Sequence, residues 1–393
     1  MKILLVHNAY QQRGGEDAVA ESEVELLRQH GHEVECLQRH NRELKDINPA
    51  SAALQTLWSL TTHQQAKRAI KRFAPDVVHV HNTFPLVSPS IYWACSDAGV
   101  PVVQTLHNFR LACPQAMFLR DGKVCEDCLG VTPWPALRHG CYRGSHSETA
   151  VLSSMLVLNR SLGTWINKVD LYIALNEFCR AKFVQAGLPA HKLVVKPNFV
   201  ETPPQRSLQR SGLLFAGRLS PEKGVDTLAK AASLMGAAAD LSVLGSGPQQ
   251  ELLNGIAGVK LHGATPQPQV LQQMAAAVAL VLPSICYESF PRTLVEAFAC
   301  ALPVLASRIG SLAELVVDGQ TGLHFNPGDA KDLAEKMAWA LAHPAEMAQM
   351  GQRARLEYER KYTPEQNHSL LMAIYKQAMA AHQAPSSPSA VAR

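Results

Sequence analysis

Short apolar runs alternate along the chain with longer stretches whose apolar positions recur every three or four residues. Lys2–Val6, Asp76–His81, Val102–His107 and Asp170–Asn176 are β-rich runs that end in polar residues, and helical stretches separate them. The first of those helices is expected from about Glu16, with Ala20, Val24 and Leu27 on one face and Gly31 closing it in a left-handed cap. The segment 194–211 (Val194–Val200, then the polar, Pro-containing Glu201–Ser211) reads as a linker. The alternation then restarts, with strands at Leu213–Ala216, Leu241–Leu244, Val259–His262, Ala279–Pro283 and Pro303–Ala306. Helices are expected at Lys223–Leu234, Gln249–Ile256, Gln267–Ala277, Thr293–Ala301, Ala330–Ala342, Ala345–Arg360 and Glu365–Ala381. Near-continuous apolar strands between helices predict parallel sheets covered on both faces. The chain therefore reads as α/β, with two Rossmann-like, doubly wound domains facing each other across a cleft. Their bounds are 1–198 and 199–363, a helix at 364–382 packs back on the first, and a disordered tail covers 383–393.

Length and composition agree with this. The 393 residues suit two domains of ordinary size, and 47% hydrophobic content can fill two cores. No apolar run approaches the ~20 residues of a membrane span, and Ile3–Val6 is too short for a signal-peptide core, so a cytoplasmic protein is expected. The net charge of +4, an excess carried by residues 1–198, is far below that of a nucleic-acid binder and fits a domain that meets an anionic surface or substrate.

The chemistry concentrates in two segments. In Ser284–Ala301 a strand gives way to a loop carrying Glu288, and a helix starts near Pro291, a residue favoured at a first helical position. The backbone N–H groups of Arg292, Thr293 and Leu294 at that helix start would form an anion site suited to a diphosphate. Glu288 and Glu296 flank it and would repel phosphate, so their task is different: a carboxylate accepts two hydrogen bonds from a vicinal diol. The ligand that fits has a sugar at one end, a diphosphate in the middle and a ribose at the other. Gly217–Gly224 (GRLSPEKG) follows a strand directly, and its Arg218 and Lys223 can stabilise a departing diphosphate without a metal.

GRLSPEKG followed by the Glu288-x7-Glu296 pair in ESFPRTLVEA resembles the retaining glycosyltransferases of family 4, which have the GT-B fold. The resemblance extends to Val243–Pro248, Gly310–Gly322 and Ala330–Ala334 and spans nearly the whole chain. It implies that Glu288 contacts donor-sugar hydroxyls, Glu296 binds the ribose, and Arg218 and Lys223 hold the diphosphate. The family often has Gly-Phe-Gly after the first Glu. Here it is Ser289-Phe290-Pro291, which removes one backbone donor and alters contacts to the donor sugar. Gly14 and Gly15 match the family's glycine-rich loop after the first strand. His107 matches a histidine lining the reaction centre, while His81, Asn82 and Asn108 are weaker candidates for acceptor contacts. The donor is expected to be a UDP- or GDP-sugar, with base contacts from the backbone near His262–Ala264, and the acceptor a saccharide or a lipid-linked saccharide of bacterial surface polysaccharide or glycolipid synthesis. No catalytic metal or other cofactor is implied. A sugar-nucleotide epimerase of the same fold and a non-catalytic nucleotide-sugar-binding subunit are the competing classes.

Two features stand outside this site. Cys113, Cys125, Cys128 and Cys141 lie in an irregular insert, a spacing that suits structural zinc, free thiols or a redox pair, and the insert is placed to shape acceptor choice. The other cysteines, Cys36, Cys95, Cys179, Cys286 and Cys300, read as core residues. Lys67, Arg68, Lys71 and Arg72 share one helix surface, which suits either peripheral docking on the inner face of a membrane or simple solvation.

Overall fold

A computed structural model describes residues 1–201, 203 and 209–383. Most of the expected linker at 201–211 and the expected tail beyond 383 lie outside the described residues.

Two six-stranded, all-parallel sheets form the molecule. The first contains β1 (Lys2–Ala9), β2 (Glu33–His40), β3 (Val77–Asn82) and β4 (Val102–Thr105). A two-stranded hairpin, β5 (Leu119–Arg120) with β6 (Lys123–Val124), interrupts it before β7 (Leu171–Ala174) and β8 (Leu193–Val195) complete the order 2-1-3-4-7-8. The second contains β9 (Leu213–Ala216), β10 (Leu241–Leu244), β11 (Val259–Gly263), β12 (Ala279–Leu282), β13 (Val304–Ser307) and β14 (Gly322–Phe325) in the order 11-10-9-12-13-14. That is the dinucleotide-binding order, whose direction of winding reverses between β9 and β12. Ligands bind at such a reversal, beyond the C-terminal strand ends.

The period of two along each strand builds the two cores. On β9, Leu213 and Phe215 enter one buried cluster while Leu214 and Ala216 enter another on the opposite face. On the first sheet, Leu4, Val6, Val78 and Val80 face one cluster. Ile3, Val77, Val103 and Ile173 face a second, which is closed by Leu371, Ile374, Tyr375 and Ala378 of the final helix, Pro364–Gln383. Burying a large apolar side chain contributes about 1.5–3 kcal/mol. That helix therefore returns to the first sheet because the face would otherwise lie bare.

Some elements differ from the sequence reading. Val194 and Val195 are not linker but two of the three residues of the edge strand β8. β2 and β14 add strands that the apolar runs had not marked; β2 lies at a sheet edge, has no fully buried position, and reads EVECLQRH. Gln249–Ile256 forms only a 3₁₀ turn, Gln250–Leu253, because Leu253 is its one buried side chain and Asn254-Gly255 ends it. Cys36 is exposed rather than core, since it lies on that edge strand, and Cys300 is half-buried.

Candidate active site

The C-terminal ends of β9 and β12 carry the residues singled out from the sequence. After β12, Ser284 donates to Glu288 Oε1 at 2.7 Å, and Lys223 Nζ lies 2.6 Å from the same oxygen. The 3₁₀ turn Pro221–Lys223 sits against the end of β12, with Ile285 N–H donating to Glu222 O at 3.0 Å. Gly224 makes that approach feasible: its φ is +69°, and a Cβ there would lie 1.8 Å from Pro283 O. Burial alone would push the Glu288 carboxyl up, yet Lys223 carries it below the usual range. Burial alone would likewise lower Lys223, and Glu288 raises it above its usual value. Both are thus ionised near neutral pH and pair with each other.

At the same strand ends lies a cavity of about 570 Å³, lined by Gly217, Arg218, Ser246, Gly247, Thr293 and Glu296, with Ala264 and Thr265 along one wall and Gln12 reaching in from the first domain; Lys223 and Glu288 are outside its lining. Its size suits a nucleotide. Gly245 lets the β10 loop pass the β9 loop, because with φ of +135° a Cβ would meet Gly217 O at 1.9 Å. Glu296 is almost wholly buried and its Oε1 lies 2.9 Å from Arg292 Nε. Burial pushes its carboxyl up, against the opposing pull of Arg292. Pro291 caps the helix Arg292–Ala299. The expected set of free N–H groups needs correction at one position: Leu294 N–H donates to Pro291 O at 3.1 Å, and the Leu294 side chain is core. Phe290 is buried as well, stacked edge-on against Tyr362 at 5.9 Å. Ser289 O is taken by Asn176 Nδ2 at 2.7 Å, Ser311 Oγ at 3.1 Å and Cys179 Sγ at 3.2 Å.

The first domain supplies a buried chain of histidines at the strand ends. His107 Nε2 lies 2.8 Å from His81 Nδ1, and His81 Nε2 lies 3.3 Å from Glu23 Oε2. Glu23 also pairs with Lys196, which is 3.2 Å from Asn367 on the returning helix. His79 bonds Tyr375 OH at 2.7 Å and Thr105 Oγ1 at 2.8 Å. Burial would raise the Glu23 carboxyl, but Lys196 and the histidines hold it well below its usual range. Burial lowers His107, His81 and His79, so all three are neutral at physiological pH. Glu23 Oε2 and His81 Nε2 are both buried and close without a hydrogen bond between them; the carboxylate's charge favours a proton on His81 Nε2, which would leave His81 Nδ1 to accept from His107 Nε2–H. Glu23, His79 and Lys196 had no role assigned from sequence. The available signal was a glutamate at position 23, on the same helical stripe as Ala20 and Leu27.

The remaining candidates fall nearby. Gly14 caps the helix Gly15–Gln29, and its N–H bonds Asp17 Oδ2 at 2.8 Å. A Cβ on Gly15 would meet nothing within 4 Å, so the fold leaves open space there. Asn82 spends its amide on Asn8 O and Phe84 N–H, and Asn108 Nδ2 donates to Glu16 Oε1 at 2.5 Å, so both side chains brace loops.

The insert holds hairpin β5–β6 and the short helix Trp134–His139. All four of its cysteines are free thiols. Backbone N–H groups of Asp127 and Ala136 point at the sulfurs of Cys125 and Cys128, and burial raises both thiols, Cys128 to about 11. Among the described residues the one trio of His, Cys, Asp or Glu with ligand atoms mutually within 4.8 Å is Glu23, His79 and His81, not the cysteines. Lys196 on Glu23 and Tyr375 on His79 occupy that trio. On the basic helix, Leu60–Phe73, Lys67 pairs with Asp97 at 2.6 Å and Arg72 with Glu35. Among the described residues no helix is long and apolar enough to cross a membrane.

Two facing dinucleotide-type domains, with paired carboxylates and fixed cations at the second sheet's reversal point, define a GT-B architecture. The comparisons place the chain more closely. The Glycosyltransferase Family 4 domain matches residues 13–203, and Glycosyl transferases group 1 matches residues 204–357. The chain belongs to these GT-B glycosyltransferases. It is 30% identical over 200 residues to an exopolysaccharide phosphotransferase of Streptomyces coelicolor, a match covering 47% of this chain and 21% of that one. It is 28% identical over 315 residues to the D-inositol 3-phosphate glycosyltransferase of an Arthrobacter species, covering 72% of this chain and 66% of the relative. The chain thus spans less than two thirds of the length of either relative. HepE of Anabaena, solved in complex with UDP, shares the fold with a TM-score of 0.65 at 19% identity, covering 96% of this chain and 100% of that one.

Proposed function

We propose that the protein transfers a sugar from a nucleoside-diphosphate sugar to a saccharide or lipid-linked acceptor, with retention of anomeric configuration. The observation that carries this reading is the nucleotide-sized cavity at the reversal point, with Arg218, Thr293 and Glu296 in its wall and the Lys223–Glu288 pair on the same strand-end loops. In it, Glu296 accepts from the ribose diol, Arg218 and Lys223 neutralise the diphosphate, and Glu288 exchanges part of its bond with Lys223 for donor-sugar hydroxyls. As the glycosidic bond breaks, negative charge grows on the β-phosphate, and the two fixed cations with the Arg292–Thr293 helix start stabilise it. No divalent ion is required by that arrangement. A front-face displacement assisted by the departing phosphate fits, with His107 Nδ1 as an acceptor near the reacting sugar. HepE, which shares the fold, has been solved with UDP and with UDP-glucose, and this supports a UDP-sugar as first choice of donor, ahead of a GDP-sugar. Assembly of a bacterial surface polysaccharide or glycolipid, on the inner face of the membrane, is the context proposed.

The test is thermal shift of the purified protein with UDP, GDP, ADP and CMP, with and without EDTA, beside Lys223→Ala and Glu296→Ala. Selective stabilisation by one nucleotide, lost in both variants and indifferent to EDTA, is expected. Acceptor-dependent nucleotide release from the matching sugar nucleotide, with the product anomer read by NMR, then separates a transferase from an epimerase, which interconverts donor sugars, and from a binding subunit, which does neither.

A further inference from the structure

The four-cysteine insert reaches the donor side of the cleft. Glu126, held in the tight turn between Cys125 and Cys128, lies 2.7 Å from Lys182 Nζ and faces the Tyr287 hydroxyl. Phe118, just before β5, packs its ring 5.8 Å from that of Tyr287. Phe178 stacks edge-on against Tyr287 at 4.8 Å, and Lys182 sits 5.6 Å over the same ring. Burial and the Glu126 carboxylate push the Tyr287 phenol up to about 12, so the hydroxyl keeps its proton and can donate. Gly310, with φ of +51°, leaves the room this ring needs: a Cβ there would lie 2.9 Å from Tyr287 Cδ1. Tyr287 belongs to the second domain and immediately precedes Glu288. Glu126, Phe118, Phe178 and Lys182 all belong to the first.

We propose that the insert is a positioning arm for the sugar end of the donor site: Glu126 and Phe118 fix Tyr287, and Tyr287 fixes Glu288 against Lys223. The backbone on the far side of Glu288 is already pinned, since Ser289 O receives its three donors. Among the described residues the near side has no comparable backbone anchor, because Ile285 N–H is the last backbone bond to the Glu222 turn. Tyr287 supplies that anchor through its side chain, and it does so from the opposite domain. The arm thereby joins the domain expected to hold the acceptor to the carboxylate expected to hold the donor sugar. Phe118, Glu126 and Tyr287 are not among the residues that line the nucleotide cavity.

This inference rests on the donor-site reading above, and the test keeps the two apart. Calorimetric titrations of the full chain with UDP and UDP-glucose, and with GDP and GDP-mannose, would be run on wild type, Glu126→Ala, Tyr287→Phe and the double variant. Tyr287→Phe retains the ring and its stacking, so it keeps the fold where a smaller residue would not. Each single variant is expected to weaken the sugar nucleotide roughly threefold to tenfold, the size of one lost hydrogen bond, while the parent nucleoside diphosphate binds as in wild type. The double variant should lose no more than the worse single, since both remove one contact. Unchanged sugar-nucleotide affinity in both variants overturns the proposal, as does a parallel loss for nucleotide and sugar nucleotide. Wild type binding neither pair would instead overturn the donor-site reading, and the inference with it.

Discussion

Replacing Glu296 with Gln isolates the ribose contact. The side chain is 4% exposed, one of its oxygens is engaged by Arg292 at 2.9 Å and Gln267 also bonds the carboxylate, so a ribose diol would compete with Gln267 for it. Gln preserves the volume and an oxygen for Arg292 but removes the charge. A hydrogen bond to a charged group contributes about 1.5–3 kcal/mol net. Losing most of one should weaken nucleoside diphosphate binding roughly tenfold to a hundredfold. The decisive arm is a cycle against the 2′-deoxynucleotide. Wild type should lose a similar factor when the 2′-hydroxyl is removed, whereas Glu296→Gln should scarcely distinguish the two ligands. The carboxyl is raised by burial, and the ionised form is the acceptor. Wild-type affinity should therefore fall as pH drops through that raised value, and the Gln variant should show no such fall. A variant that still discriminates ribose from deoxyribose as wild type does would refute the assignment.

Lys223→Ala and Arg218→Ala should each cut kcat/KM by roughly 10²–10³, because each removes a cation from the leaving phosphate; the exposed Arg218 should leave the melting temperature little changed, whereas Lys223→Ala should lower it by leaving Glu288 without its partner, and a loss of activity under tenfold in steady-state assays would speak against the role of either. Lys196→Met should destabilise the fold by about 3–5 kcal/mol, since it strands a buried carboxylate. Glu23 is held below its usual range, so its contribution is present at neutral pH and lost as pH falls through the folded value. Urea denaturation should accordingly show the gap between variant and wild type closing in acid, and a gap below ~1 kcal/mol at pH 7 would refute it. Elemental analysis decides between the readings of the insert: one zinc per chain, lost in Cys125→Ser, would make it a structural metal site, and metal-free native protein would assign its cysteines as free thiols or a redox pair.

What was legible in the sequence follows from what each residue must do locally. Strands such as Leu213–Ala216 and Ala279–Leu282 are buried on both faces, so apolar runs announce them. β2 lies at an edge and alternates, and its charged positions hide it. The donor-side residues were legible because they sit on one strand–loop–helix unit with fixed spacing. Glu23, Lys196 and Asn367 were not, because three distant segments meet only after the final helix returns to the first sheet. Nor did sequence bring Glu126 to Tyr287, a contact between domains that no local pattern encodes.

The buried network also explains an apparent extravagance of the first domain. Glu23 and Lys196 are wholly removed from water. An ion pair so placed repays its desolvation poorly, and an apolar pair of equal volume would serve stability as well. What an apolar pair could not do is choose a tautomer. The Glu23 carboxylate, 3.3 Å from His81 Nε2, favours a proton on that nitrogen, and His81 Nδ1 is then the acceptor for His107 Nε2–H. Lys196 keeps Glu23 ionised, so that the choice does not lapse at the edge of the physiological pH range. Lys196 and Asn367 lie on the two segments by which the chain leaves the first domain and returns to it. The charge beside His81 is thus anchored where the two domains join, and a costly pair is placed where its field acts on the histidines at the strand ends.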